Sequence, residues 1–127
     1  MRITHFGGTV DCTTIDELKN ILNTRYGENS NNFWIARNEK YPLLTILVKD
    51  EYANLTFFPG EDSSGFLSIG NELDLAKDDF TDFYVNTPTE IISVKNNFVI
   101  PFTTALKIAE EFFITLSKPS CIDWFEL

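Results

Sequence analysis

His5, Cys12 and Cys121 are the residues from which a thiol nucleophile and its base could be built. A cysteine–histidine pair needs the thiol within hydrogen-bonding reach of the imidazole. In sequence only Asp11 and Cys12 lie near His5, and two such residues occur by chance in most domains. The chain has no GxSxG, no HExxH and no Walker-type loop, and Gly7-Gly8 alone is too short to cradle a phosphate. Two carboxylate pairs, Glu61-Asp62 and Asp78-Asp79, could chelate a hard cation or work as acid and base. The alternating oxygen ligands around a central glycine that mark a calcium loop are absent. Three readings stay open for these acids: a solvated surface, a binding surface for a basic protein, and a metal-binding or catalytic carboxylate pair.

Charge narrows the partner. Ten basic residues face nineteen acidic ones, a net charge of −9. This disfavours nucleic acid and anionic membrane as ligands and favours a basic protein. The charge is uneven: Glu61, Asp62, Glu72, Asp74, Asp78, Asp79 and Asp82 are opposed between positions 61 and 82 only by Lys77, a local net charge of −6. Met1 to His5 open no apolar run of the secretory kind, and no stretch approaches the roughly 18 residues of a membrane span, so a cytoplasmic protein is expected. Cys12 and Cys121 lie near opposite ends without metal-ligand spacing. Reduced thiols are the expected state there, with a bridge between the termini as the other reading. Asn54-Leu55-Thr56 matches a glycosylation sequon, read here as a chance match inside a strand.

The elements that must position these residues follow from periodicity. With 127 residues and twelve phenylalanines, the chain is expected to form one domain, residues 1–127, with its own core. Phe102, Ala105, Leu106, Ala109, Phe112, Phe113 and Leu116 draw one stripe on a helix, with Pro101 in its first turn and a stop near Ser117 ahead of Pro119. Lys118 places a cation beside the helix's negative end. A short apolar tail follows, Cys121 to Leu127. Near the N-terminus, Arg2 to Val10 read as a strand bent at Gly7-Gly8. Thr14 to Glu17 form a capping box that opens a helix running to about Arg25, with Gly27 as its left-handed stop. Asn29 to Asn32 read as a polar loop. Strand signals follow at 33–36, 42–48, 53–58 and 65–69, joined by connectors too short for parallel crossovers. Phe83-Tyr84-Val85, Glu90 to Val94 and Phe98-Val99-Ile100 read as further short strands. The expectation is an α+β protein: an antiparallel meander sheet with two helices packed on one face and the opposite face free. Trp34 and Trp124 each read either as packing residues or as interface anchors, Trp34 leaning to the core and Trp124 evenly divided.

The C-terminal quarter carries a family resemblance. Ile100-Pro101, the helix with Glu110-Glu111-Phe112-Phe113, then Lys118-Pro119 and the closing Asp123-Trp124-Phe125-Glu126, resemble the first-named immunity-protein family (the Imm group) of bacterial polymorphic toxin and contact-dependent growth inhibition systems. The strand around Trp34, Pro42-Leu43-Leu44, and Gly65 to Ser68 after an acidic turn agree in outline. The chain departs from the family at the helix stop, where Leu116-Ser117 stand in place of the frequent glycine.

The resemblance implies a non-enzymatic, cofactor-free cytoplasmic protein that binds and inactivates the toxin domain of a cognate effector, frequently a nuclease. A nuclease presents a basic groove to phosphates, and carboxylates can occupy that groove as a mimic. The expected contact residues are the acids Glu61, Asp62, Glu72, Asp74, Asp78, Asp79 and Asp82, with Phe66, Tyr84 and Trp124 as anchors. The alternatives are a small acidic hydrolase or metal-dependent enzyme, and an acidic scaffold module that binds a basic host protein.

Overall fold

The computed structural model describes residues 1–127, and its architecture is α+β. Strands β1 (Arg2–His5) and β2 (Gly8–Asp11) form a hairpin, followed by helix α1 (Ile15–Leu22). Strands β3 (Ser30–Ala36), β4 (Leu43–Lys49), β5 (Tyr52–Phe58) and β6 (Phe66–Ser68) run as the expected antiparallel meander. Strands β7 (Phe80–Tyr84) and β8 (Ile91–Lys95) pair only with each other. A short β9 (Ile100–Pro101), helix α2 (Phe102–Thr115) and β10 (Trp124–Glu126) complete the chain. The main sheet has eight strands in the order β10-β6-β5-β4-β3-β1-β2, with β9 beside the start of β5.

Alternation along the central strands divides the two faces. Phe33, Ile35, Leu44, Ile46, Val48, Ala53, Leu55 and Phe57 point to one side, where they bury Leu18 and Leu22 of α1 and Ala105, Ile108, Ala109 and Phe112 of α2. Both helices therefore lie on one face, as their apolar stripes require. The capping box forms at α1: the Thr14 hydroxyl accepts from the Glu17 N–H at 3.2 Å, and the Glu17 carboxylate accepts from the Thr13 and Thr14 hydroxyls.

Several local expectations are corrected, some by contacts distant in sequence and some by side chains bonding back within a turn. The strand expected to bend at Gly7-Gly8 reverses completely, with His5 facing Gly8 across β1 and β2. A Cβ on Gly7 would meet the Tyr26 hydroxyl, so a larger residue there would require the half-exposed Tyr26 ring to move aside. Helix α1 ends at Leu22, because the Asn23, Thr24 and Arg25 side chains bond back to the carbonyls of Lys19, Ile21 and Leu22. Gly27 is left-handed at φ 53°, but within the turn between Tyr26 and Ser30. The polar run at Asn31-Asn32 is buried strand: Asn31 bonds to Thr24 and Phe6, and Asn32 to Ile46 and Asn86. The stretch 98–100 is split between a single 3-10 turn at Asn96–Phe98 and β9. The tail beyond α2 is an edge strand, β10 on β6. Helix α2 stops at Thr115, and Leu116 adopts φ 53° to close it, a left-handed geometry that glycine adopts most readily.

The opposite face is not free. The β7–β8 hairpin lies across β3 and β4, fixed by a second small core in which Phe83 meets Leu47 and Val99, with Leu73, Leu75 and Val94 around them. The Asn86 N–H donates to Asn32 Oδ1 at 3.1 Å and ties the hairpin's turn to β3.

Candidate functional site

The residues that first suggested catalysis are held apart. His5 lies at the turn end of β1, whereas Cys12 follows the far end of β2 and bonds through its N–H to the Met1 carbonyl. Four residues of strand, roughly 13 Å, separate those ends. His5 Nδ1 lies 3.2 Å from the Gly7 N–H and 3.3 Å from Asn31 Nδ2, both donors, which fixes the proton of the neutral ring on Nε2. Its ring packs beside Phe33 and Tyr26, and burial lowers its pKa. Cys12 is buried and donates to the Thr14 carbonyl; burial chiefly raises its pKa. Cys121 is exposed at the opposite edge of the sheet, beside Glu111, and both cysteines are free thiols. The Asn54 amide of the sequon is buried in β5 and donates to the Phe98 carbonyl. No three His, Cys, Asp or Glu side chains approach closely enough to share a metal ion.

The acidic stretch is dispersed as well. Glu61 and Asp62 lie in the turn after Phe58, at the end of the sheet marked by Pro42. Glu72 accepts from the Thr104 hydroxyl in the first turn of α2, which begins beside Tyr52 at the other end of β5. The seven residues of β5, roughly 20 Å, lie between these positions. Asp74 is exposed between Leu73 and Leu75, which pack under the hairpin. Asp78 and Asp79 precede β7, with Asp79 Oδ1 accepting from the Phe80 N–H at 2.9 Å. Asp82 sits within β7 and accepts from the Ser93 hydroxyl at 2.7 Å.

The aromatic candidates divide in the same way. Phe66 and Trp124 turn toward the helices. Phe66 lies beneath the Lys118 ammonium, 4.4 Å from the ring centre, and Trp124 packs on Phe57 while donating to the Pro119 carbonyl. Lys118 thus covers an aromatic ring in addition to following the helix end. Tyr84 is half-buried on β7, with the Lys49 ammonium 5.9 Å from its ring. Of the ten residues expected from sequence, the fold gathers Asp78, Asp79, Asp82 and Tyr84 on or beside one hairpin.

Two features were not legible in the sequence. The first is a groove of about 630 Å³ between the outer face of the sheet and β8. Trp34, Leu43 and Phe58 form its apolar floor, with Ile92 and Val94 as its wall. Trp34 therefore belongs to neither the main core nor the edge but to this half-open surface. The second is the exposure of Phe80 (54%) and Ile91 (58%) on the hairpin. The alternation of β7 and β8 contains the signal for both, but only the packing of Phe83 shows which face looks outward.

No family model matches the chain. Its sequence is similar to a double-stranded DNA deaminase immunity protein of Burkholderia cenocepacia (strain H111), 26% identical over 123 residues that span 96% of each chain. This similarity to an immunity protein of a toxin system spans almost the whole chain. No helix is long and apolar enough to cross a membrane.

Proposed function

We propose that this chain is an immunity protein that binds a cognate toxin domain and holds it inactive, and that the toxin acts on DNA as a double-stranded DNA deaminase. The observation that carries this reading is the similarity over 96% of both chains to a protein named for that role. The relative's name replaces the nuclease expected from the family with a deaminase, and the physical logic survives the exchange. Any enzyme of duplex DNA offers a basic surface to phosphates, and a protein of net charge −9 is drawn to such a surface. On this reading the chain is a stoichiometric inhibitor without chemistry or cofactor of its own, working in the cytoplasm of the cell that makes the toxin, in a polymorphic toxin or contact-dependent inhibition system. The separation of His5 from both cysteines supports inhibition by contact over a thiol enzyme.

The test is protection. Cells expressing a double-stranded DNA deaminase toxin domain of the kind named for the relative should lose viability by several orders of magnitude and regain it when the chain is co-expressed. Killing that persists while the chain accumulates as folded protein would overturn the reading.

A further inference from the structure

We infer that the outward face of the β7–β8 hairpin is the surface that contacts the toxin domain; this deepens the immunity reading and rests on it. Cross-strand partners share a face, so the pairs Phe80–Lys95, Asp82–Ser93 and Tyr84–Ile91 look one way, while Thr81–Val94 and Phe83–Ile92 look the other. Phe83 is fully buried against Leu47 and Val99, which fixes the second set toward the sheet and the first toward solvent. That outward face carries two of the most exposed large apolar side chains of the protein, Phe80 at one end and Ile91 beside Tyr84 at the other. Nothing in the fold requires them there. A hairpin needs one apolar face to dock, and this one already has it in Phe83 and Val94, while Ile92 lines the groove.

The charges around these side chains indicate the occupant. The acids Asp78, Asp79, Asp82 and Glu90 are all exposed and outnumber the bases near them, Lys77 and Lys95 at the base of the hairpin and Lys49, whose ammonium lies 5.9 Å from the Tyr84 ring. Apolar anchors set among like charges form the usual plan of a protein interface, and the sign selects a basic partner. A domain that must hold duplex DNA meets that requirement, whereas a second copy of this chain, itself at −9, is repelled. The other acidic pair, Glu61-Asp62, lacks the apolar half of the plan, because neighbouring Phe58 is half-buried and Phe66 is covered by Lys118.

Binding of a catalytically inactivated double-stranded DNA deaminase toxin domain, one that the chain protects against, followed by biolayer interferometry at two salt concentrations, tests the assignment. Phe80→Ala and Ile91→Ala should each raise Kd about 10-fold or more, and together beyond about 100-fold, mainly through faster dissociation. Asp78→Asn, Asp79→Asn and Asp82→Asn together keep the local acceptors and should slow association and flatten its salt dependence. Glu61→Gln with Asp62→Gln should change Kd less than about 3-fold. Thr45→Trp, which fills the groove without touching the outward face, serves as the competing-site control, and melting curves verify that each variant folds. If wild type binds and the Phe80 and Ile91 variants bind equally well, or only Thr45→Trp weakens binding, the hairpin assignment is wrong and immunity stands. Sedimentation showing a wild-type dimer that the hairpin variants dissolve, with toxin binding unchanged, would assign the face to a second copy instead. Failure of wild type to bind the domain at all would overturn the immunity reading and this inference with it.

Discussion

Phe83→Ala should detach the hairpin while leaving the main sheet folded. Phe83 is fully buried, but its cluster has only Leu47 and Val99 as buried partners, whereas the core between the sheet and the helices joins 18 buried residues. Truncating a buried phenylalanine costs about 3–5 kcal/mol. A two-stranded hairpin has little stability of its own, so this loss falls on the equilibrium that lifts β7 and β8 off the sheet. At about 1.4 kcal/mol per factor of ten, amides of β7 and β8 should exchange with solvent on the order of 100- to 1,000-fold faster, or more. One hydrogen-bonded tie to the sheet remains, the Asn86 N–H to Asn32, while Thr81 to Asn96 and Asn96 Nδ2 to the Ala76 carbonyl at 2.8 Å close the base of the hairpin itself. Amides of β3, β4 and β5 should keep their protection, and the main melting transition should fall far less than it does for Phe112→Ala in the principal core. Native-state hydrogen exchange read residue by residue distinguishes these outcomes. Uniform acceleration across both sheets, with a melting loss matching that of Phe112→Ala, would show one cooperative unit and refute the separation of the two cores.

Other perturbations test other parts of the structure. Thr14→Ala removes the N-cap of α1 and should cost about 1 kcal/mol in urea unfolding. The same change should weaken an acid dependence: the Thr13 and Thr14 hydroxyls hold the Glu17 carboxyl below its ordinary pKa, so their contribution is present above that value and lost as pH falls through the folded one. Burial lowers the His5 pKa, so the unfolded chain takes up that proton first and stability declines as pH drops below about 6.5. His5→Gln should flatten the stability profile between roughly pH 7 and 5. Gly70→Ala drives a Cβ into the Val99 carbonyl and should destabilise by about 2 kcal/mol or more, read as a loss in melting temperature. Iodoacetamide should label Cys121 in the folded protein and reach buried Cys12 only on unfolding, followed by mass spectrometry.

What the sequence made legible was governed by neighbours along the chain. The Thr14–Glu17 box, the stripe of α2 and the short connectors of the meander each have their cause within a few residues, and each forms. What it concealed depends on contacts distant in sequence. Asn31 and Asn32 look like a loop until their amides are seen bonded to Thr24, Ile46 and Asn86. The tail becomes β10 only because β6 offers an open edge. The same limit applies to the surface. Seven acids clustered in sequence become separate groups once β5 stands between Glu61 and Glu72. For strands as short as β6 and β10, alternation could not tell that Phe66 and Trp124 turn toward the helices.

On the proposed reading this chain silences a DNA deaminase by binding it. Deamination of a double-stranded oligonucleotide by the purified deaminase toxin domain should be titrated with the chain at a toxin concentration well above the expected Kd. Activity should fall linearly to zero with a sharp break at one chain per toxin, the signature of stoichiometric capture. Full activity at a tenfold excess of folded chain would contradict it.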